Sequence, residues 1–223
     1  LYGVRGGNGV VLVTTKRGNA SSLNVDARYA YGLSTPFRKP EFADAYTYAS
    51  SVNTALSGDG LAPRYSQAEL AAFRDGTLPY EYPDVDWWDE TMNDVGHTHS
   101  LRLSFDGGGN RFRYYAAMDY YRDRSMLKEN VSDPRYSTKP TDTRLSVRAN
   151  IDVEITKTTL LKAGLSAKLQ ELNGTVYGRN NIINVIYSTP SAAFPVRTRE
   201  GIYGGNSIYG ELNPVALLTD KGH

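Results

Sequence analysis

Apolar and polar residues alternate without interruption over residues 144–155, which gives the clearest strand prediction in the chain. The odd-numbered positions carry Leu, Val, Ala or Ile, and the even-numbered positions carry Arg, Ser, Asn, Asp or Glu. Residues 159–171 repeat the alternation after a short turn. Because successive side chains of a strand point to opposite faces, each segment predicts a strand with one apolar and one polar face.

Further strands are predicted upstream of these two. Residues 23–31 and 100–106 alternate in the same way. The turn sequence Gly-Gly-Gly-Asn at 107–110 predicts that the second of these strands forms a hairpin with residues 112–121. A β-branched run at residues 10–15 follows a Gly-rich loop and predicts one separate strand.

The pattern becomes helical between residues 36 and 93. Apolar residues recur there at spacings of three and four, as one helix face requires, at Phe42, Ala45, Ala49, Val52 and Leu56. Ser66 and Glu69 form a capping-box sequence ahead of a second short helix, which Gly76 would end. We therefore place residues 32–98 in one long, partly helical loop. Residues 173–223 carry no comparable pattern apart from a brief apolar piece near residues 182–186.

The connections between the five predicted strands alternate between long and short. Outer-membrane β-barrels show this asymmetry, because their periplasmic turns are short and their extracellular loops are longer. Strands of about 10 residues or more are also long enough for a tilted membrane crossing. The polar faces carry charges of both signs, as a water-filled lumen would accept, but a solvated sheet face would look similar. A membrane barrel and a soluble antiparallel sheet therefore both remain open.

Composition narrows the class of protein but names no partner. The 223 residues carry a net charge of +1, which gives no argument for nucleic-acid binding. With 17 Tyr and 21 Gly, the profile is typical of an all-β protein. The absence of Cys excludes disulfides, thiolate zinc sites and a Cys nucleophile, and no apolar run approaches the roughly 18 residues of a membrane-spanning helix. The chain begins at Leu1 without an initiator Met, so we expect a fragment whose upstream part is missing.

Four segments of the chain carry distinctive short motifs. Residues 1–18 combine the loop Tyr-Gly-Val-Arg-Gly-Gly-Asn-Gly with a β-branched run and Thr-Lys-Arg-Gly, and residues 82–88 read Tyr-Pro-Asp-Val-Asp-Trp-Trp. Residues 144–150 read Arg-Leu-Ser-Val-Arg-Ala-Asn, and residues 213–216 read Asn-Pro-Val-Ala. In this order, the four segments resemble elements of the SusC/RagA family of TonB-linked outer-membrane transporters. These elements are the segment that closes the plug domain, with Gly7 where an Ala is more usual, the Pro-x-x-Asp-Trp element of the first long loop, an early barrel strand, and the Asn-Pro-x-Ala element of a later extracellular loop.

The resemblance implies an all-β fold, namely part of a large antiparallel transmembrane β-barrel with the C-terminal strand of an N-terminal plug domain. Residues 1–18 would end the plug, and residues 19–223 would form the N-terminal part of the barrel, with about five strands and long extracellular loops. The implied function is TonB-dependent import of large nutrients, either glycan oligosaccharides or peptides, across the bacterial outer membrane. The implied partners are a SusD-like surface lipoprotein, outer-membrane lipid, and TonB acting through a region outside this chain. No cofactor, nucleic acid or enzymatic activity is implied.

Tyr177, Arg179 and Asn180 are the candidate ligand-binding residues, because they stand in a polar, aromatic loop. A second candidate group surrounds Trp87 and Trp88 and consists of Asp84, Asp86, Asp89 and Glu90. Clustered carboxylates suit a glycosidase pair or a calcium site. The two Trp residues equally suit a loop anchored at the membrane interface or the barrel rim.

His97 and His99 share one strand face, but they lack a third metal ligand, so we expect a lumen or rim position. An interfacial girdle is expected from tyrosines near strand ends, which are Tyr29, Tyr114, Tyr120 and Tyr121. We predict no metal site and no catalytic residue. Two rival hypotheses remain, a soluble all-β carbohydrate- or protein-binding module and a secreted glycoside-active enzyme that uses the carboxylates near Trp87.

Overall fold

The computed structural model describes residues 9, 11, 15–129, 131, 135–209 and 212–219. The predicted strand at residues 10–15 lies largely outside the described residues. Most of the plug-like segment 1–18 also lies outside them.

A five-stranded sheet forms the extended part of the chain, and each strand pairs with its neighbours in sequence order. The strands are β1 (Asn24–Ser34), β2 (Gly96–Gly108), β3 (Phe112–Arg124), β4 (Thr141–Thr156) and β5 (Thr159–Asn173). Four of them were predicted from the period-two alternation, and β3 was predicted from the hairpin turn at residues 107–110. The observed strands differ from the predicted bounds by a few residues at their ends.

Short helices occupy the long connections. They are α1 (Ala45–Gly58), α2 (Gln67–Asp75), α3 (Trp87–Thr91), α4 (Arg179–Ser188) and α5 (Pro214–Thr219). The capping box predicted at Ser66 is present, and Gly76 ends α2 in the left-handed conformation at φ 61°. The sequence analysis did not predict α4 and α5. No helix in the described part of the chain is long and apolar enough to cross a bilayer.

The chain divides into two compact units, which we describe separately. The sheet unit comprises Leu1–Ala30, His99–Tyr121 and Arg144–Gln170. The loop unit comprises Tyr31–Thr98, Arg122–Thr143 and Glu171–His223. Each strand thus contributes residues to both units, and all five helices fall in the loop unit.

The hydrophobic core lies in the loop unit. Its larger cluster joins α3, α4 and α5 through buried residues that include Trp87, Leu127, Ile182, Ile186 and Leu218. A smaller cluster joins α1 to α2 through Ala45, Ala49, Leu70 and Phe73. Burial of these side chains stabilises the short helices, which would be marginal alone.

The sheet unit has the opposite distribution of polarity. Its apolar side chains are exposed, with 68% of Leu165 and 43% of Ile151 accessible to solvent. Its buried side chains are polar, and they are Ser104, Asp106 and Asn150. No hydrophobic side chain of the sheet unit is buried among the residues that the structure describes.

Candidate functional site

The polar face of the sheet holds the segment that precedes β1. The side-chain amide of Asn150 donates to the carbonyl oxygen of Lys16 at 2.8 Å. The Lys16 ammonium lies 3.4 Å from a carboxylate oxygen of Asp106. Arg17 forms an ion pair with Asp152. Residues 16 and 17 are therefore fixed to β2 and β4 by polar contacts.

Burial and close packing strengthen this attachment. Asp106 is only 5% exposed, so little water competes for its carboxylate. Gly18 lies so close to β3 that an added Cβ would overlap the backbone carbonyl of Tyr114. The segment Lys-Arg-Gly at residues 16–18 thus combines two cations with a glycine that lets its backbone lie close to the backbone of β3.

The rest of the polar face presents charges of both signs. Arg102 and Asp119 form a cross-strand ion pair at 2.5 Å. One cleft on the sheet unit includes Arg148, Ser166 and Lys168 in its lining. Another is lined in part by Arg113, Asp152, Glu154 and Lys162. These groups supply hydrogen-bond donors and acceptors suited to water and polar solutes.

Trp87 anchors the first long loop to the segment that follows β5. Its indole N–H donates to the carbonyl oxygen of Pro190 at 3.1 Å, and its ring lies 5.3 Å from the ring of Phe194. Because Trp87 is 2% exposed in the core of the loop unit, its interpretation as a membrane-interface anchor is wrong. Trp88 is partly buried against the same core.

Three of the four carboxylates around Trp87 have structural partners, those of Asp84, Asp86 and Asp89. Asp84 accepts the backbone N–H of Ala45 at 2.8 Å. Asp86 caps α3 by accepting the backbone N–H groups of residues 88 and 89. Lys39 lies 3.4 Å from Asp86 and 2.5 Å from Asp89, and the hydrogen bond with Asp89 raises the pKa of Lys39. Among the residues described, no three His, Cys, Asp or Glu side chains are placed to hold a metal ion.

Asn213 is the centre of a second polar anchor, in the segment that resembles an extracellular-loop motif. Its Oδ1 accepts the backbone N–H groups of Val215 and Ala216 at 3.0 and 3.3 Å. Its Nδ2 donates to the carbonyl oxygens of Val196 and Gly204 at 3.0 and 2.9 Å. The Asn-Pro sequence therefore starts α5 and joins it to the preceding loop.

The predicted ligand-binding residues lie together at the beginning of α4. Tyr177 is half-buried and packs against the larger core cluster. Its carbonyl oxygen accepts the side-chain amide of Asn181 at 2.8 Å. Arg179 and Asn180 are exposed in the first turn of the helix. The structure brings the three residues together, and Arg179 and Asn180 reach solvent.

An arginine–tyrosine group in the same tail was missed by the sequence analysis. The Arg197 guanidinium lies 4.0 Å from the ring centroid of Tyr203 and donates to its hydroxyl at 2.7 Å. Arg199 lies 5.5 Å from the ring centroid of Tyr80 and 3.0 Å from Glu81. The sequence signal that could have indicated the first pair is Gly201, a turn residue between Arg197 and Tyr203, and the structure pairs these two residues across that turn.

His97 and His99 lie on the apolar face of β2. Tyr31 pairs with His97 at 2.6 Å between the hydroxyl and Nδ1. Tyr29 pairs with His99 at 2.8 Å between the same atoms. The polar face carries the even-numbered residues of β2, so the two His residues lie on the opposite side of the strand. Their expected lumen or rim position stays a prediction.

The fold is a mostly antiparallel sheet with few helices, exposed on its apolar side and polar on the other. Two solved transporter structures share this fold. The chain matches the RagAB peptide transporter with a TM-score of 0.57 and 19% identity, over 79% of this chain and 21% of that chain. It matches the RagAB peptide importer in its "closed-closed" state with a TM-score of 0.59 and 17% identity, over 91% and 24%.

Curated relatives point to the same class. The TonB-dependent receptors P3 and P26 of Formosa agariphila are 26% and 27% identical to the chain over 233 residues. The alignments cover 99% and 98% of this chain but 20% of each relative, so the chain spans about a fifth of their length. No family model matches the chain. The chain is thus similar to one segment of a SusC/RagA-like TonB-dependent transporter, and the resemblance seen in the sequence motifs is confirmed.

Proposed function

We propose that the chain is part of a TonB-dependent importer of the bacterial outer membrane. Residues 1–18 end its plug domain, and residues 19–223 form the N-terminal part of its multi-pass β-barrel. The observation that carries the proposal is the inverted polarity of the sheet unit, whose apolar side chains are exposed while Ser104, Asp106 and Asn150 are buried. The names of the curated relatives support the same function.

The apolar face suits lipid better than water. Its residues form a continuous surface, and apolar patches above a few hundred Å² mark contact with a partner or a membrane. On β4, the apolar positions run from Leu145 to Ile155. At about 3.3 Å per residue this is roughly 33 Å, and a strand tilt of about 40° reduces it to a height of about 25 Å. That height equals the apolar band of an outer-membrane barrel.

The polar face then lies toward the lumen and the plug. The ion pair between Arg17 and Asp152 and the contact between Lys16 and Asp106 support this assignment. Both join the chain just before β1 to the polar side of the strands. In a plugged barrel, such contacts would fix the point where the plug domain passes into the wall.

The proposed cargo is a large nutrient, either a glycan oligosaccharide or a peptide. A SusD-like lipoprotein would meet the long loops, and TonB would act on a region outside this chain. Tyr177, Arg179 and Asn180 are the proposed cargo contacts, supported by the exposure of Arg179 and Asn180 beside an aromatic ring. Exchange of residues 177–180 for those of a relative with another cargo should change the cargo that is taken up, and unchanged uptake would remove these residues from the proposal.

The alternative of a soluble all-β binding module finds less support. A soluble sheet buries its apolar face against a second layer. Here Val147, Ile151 and Leu165 stay exposed, and the second layer is missing from the described residues of the sheet unit.

The experiment that tests the proposal is cysteine accessibility on intact cells. The chain contains no Cys, so single substitutions can report topology in the full-length protein once any Cys elsewhere is replaced. Ala62→Cys lies in the first long loop, and Lys157→Cys lies in the turn between β4 and β5; both positions are exposed. We expect a membrane-impermeant maleimide to label residue 62 on intact cells and residue 157 only after permeabilisation. Equal labelling of both, or recovery of the protein in the soluble fraction, would contradict the membrane topology.

A further inference from the structure

The apolar side of the sheet becomes polar where the strands approach the long loops. The polar positions at this end are His97 and His99 on β2, Arg122 and Arg124 on β3, Thr141 and Thr143 on β4, and Glu171 on β5. The adjacent positions on the same side of each strand are Leu101, Tyr120, Leu145 and Leu169. On β2, β3, β4 and β5, this side of the strand therefore changes from apolar to polar near the end that leads into a long loop.

Two arginines of the loop unit belong to this polar end. The Thr98 hydroxyl donates to a carboxylate oxygen of Asp123 at 2.8 Å, and the even-numbered residues of β2 lie on the polar face. Asp123 therefore also points to the polar face. Because side chains alternate along a strand, Arg122 and Arg124 point to the opposite, apolar side.

Strand pairing places an aromatic and an imidazole group beside these arginines. The pairing of Thr98 with Asp123 makes His97 the cross-strand neighbour of Arg124. His97 in turn pairs with Tyr31, whose hydroxyl lies 2.6 Å from the imidazole Nδ1 and whose ring is stacked at a centroid distance of 6.0 Å. On the other side, the backbone N–H of Ser125 donates to the carbonyl of Pro140 at 2.9 Å. This bond sets Thr141, with its small side chain, next to Arg124.

The charges of the two arginines are not neutralised within the described part of the chain. No ion pair between described residues includes Arg122 or Arg124. The Nε of Arg122 is buried and has no hydrogen-bond partner there. A guanidinium at least partly shielded from water and lacking an acceptor favours an external anion.

Other charged groups nearby leave a positive balance. Burial lowers the pKa of Lys139; Glu129 opposes this effect and Arg124 adds to it, so both lie within electrostatic range of Lys139. The Lys139 ammonium donates to the carbonyl of Leu127 at 2.6 Å. Glu171 is on the same side of the sheet, but on β5. The charges that act around Lys139 are therefore two cations, Lys139 itself and Arg124, and one carboxylate, that of Glu129.

We infer that Arg122 and Arg124, flanked by Tyr31 and His97, bind the phosphate headgroup of an outer-leaflet membrane lipid. The inference rests on the proposed function, which puts the long loops outside the cell and the apolar side of the sheet in lipid. Arg presents a planar fork of donors that matches phosphate oxygens. Tyr and His suit the boundary between headgroups and acyl chains. A free phosphate ion would use the same donors, so inorganic phosphate serves as the competitor that distinguishes the two ligands.

The test measures lipid binding by the full-length protein in detergent. The probe is phosphorylated lipid A, and bound lipid is counted by native mass spectrometry for wild type and for the double variant R122Q/R124Q. We expect the double variant to bind about tenfold more weakly, because it loses both charges and the donor forks. Dephosphorylated lipid A should bind wild type and variant alike. Arg122→Lys and Arg124→Lys, which keep the charges, should recover part of the affinity.

The matched control is R113Q/R148Q, which removes two arginines from the polar face. We expect this control to bind lipid A as wild type does. Equal lipid binding by R122Q/R124Q in a protein that fractionates with the outer membrane would overturn the headgroup site alone. Competition by millimolar inorganic phosphate would show a site for the free ion and overturn the lipid assignment. A protein found in the soluble fraction would overturn the proposed function itself, and the headgroup site with it.

Discussion

At the scale of single residues, Asn213 and Trp87 belong to segments that resemble family motifs, and both side chains stabilise the packing of the loops. Asn213 uses its amide to satisfy two backbone N–H groups and two backbone carbonyls, and it is 3% exposed. Trp87 buries its ring and bonds the carbonyl of Pro190. Each residue joins segments that are distant in sequence, or caps a helix too short to be stable alone.

Asn213→Ala should destabilise the loop unit strongly. The substitution leaves the buried carbonyl of Gly204 without its donor and removes the cap of α5, so we expect a loss of about 3 kcal/mol. The carbonyl of Val196 keeps a second donor, the backbone N–H of Gly204. Limited proteolysis of the full-length protein would detect it as faster cleavage within residues 196–219. Asn181→Ala is the control, because Asn181 is exposed and donates only to the carbonyl of Tyr177. If both variants resist proteolysis equally, Asn213 does not stabilise the loop.

At the scale of elements, α2 is specified by its ends. The Ser66 hydroxyl accepts the backbone N–H of Glu69 at 3.3 Å, and the Glu69 carboxylate accepts the backbone N–H of Ser66 at 2.7 Å. This second bond lowers the pKa of Glu69. A lowered folded-state pKa means that the stabilisation is present above the ordinary pKa of Glu and disappears as the pH falls through the folded-state value.

Ser66→Ala should weaken α2 by about 1 kcal/mol, because one N-terminal N–H loses its acceptor. Hydrogen exchange of the amides in α2 would measure the change as reduced protection. Gln67→Ala, one residue further along at an exposed position, should leave protection unchanged. In wild type, protection of α2 should fall as the pH drops below the usual range of Glu. Protection that stays constant as the pH falls well below that range would show that the carboxylate does not contribute.

The segment that precedes β1 gives a second prediction at the scale of elements. Arg17 and Asp152 form an ion pair in which Asp152 is largely shielded from water. We expect a double-mutant cycle with Arg17→Gln and Asp152→Asn to give a coupling of about 1 kcal/mol in unfolding of the full-length protein. The pair Arg28 and Asp26, which is more exposed, should give a smaller coupling in the same cycle. Similar coupling free energies for the two pairs would mean that burial at the polar face does not strengthen the ion pair.

These elements also show what the sequence could and could not predict. The strands were readable because alternation persists over ten or more residues, as in β4, and α2 was readable because both of its ends carry capping residues. Helix α4 offers only Ile182, Val185 and Ile186 as an apolar stripe, too short to separate from a strand. The contact of the Thr138 hydroxyl with the carbonyl of Leu218, 80 residues away, left no local pattern to detect. The pairing of His97 with Tyr31 likewise depends on register, which alternation alone does not set.

At the scale of the whole molecule, the two units differ in how they bury hydrophobic side chains, and this difference can distinguish a membrane sheet from a soluble one. All the buried hydrophobic residues of the described chain lie in the loop unit, whereas the sheet unit has only exposed or partly buried ones. A face that meets lipid and a face that meets water tolerate opposite substitutions, so neighbouring residues on one strand can distinguish the environments. Val147 and Ser146 are such neighbours on β4, with Val147 on the apolar side and Ser146 on the polar side.

Val147→Arg should cost about 2–4 kcal/mol if Val147 faces lipid near mid-membrane depth, because the guanidinium loses its hydration there. Ser146→Arg, which adds the same side chain to the polar face, should cost far less. Both variants would be made in the full-length protein, and the fraction of heat-modifiable, folded barrel in the outer membrane would be measured. In a soluble sheet, residue 147 would instead meet water, since it is 41% exposed, and both substitutions would be nearly neutral. Equal yields of the two folded variants would therefore place the apolar side of the sheet in water, whereas selective loss of Val147→Arg would place it in lipid.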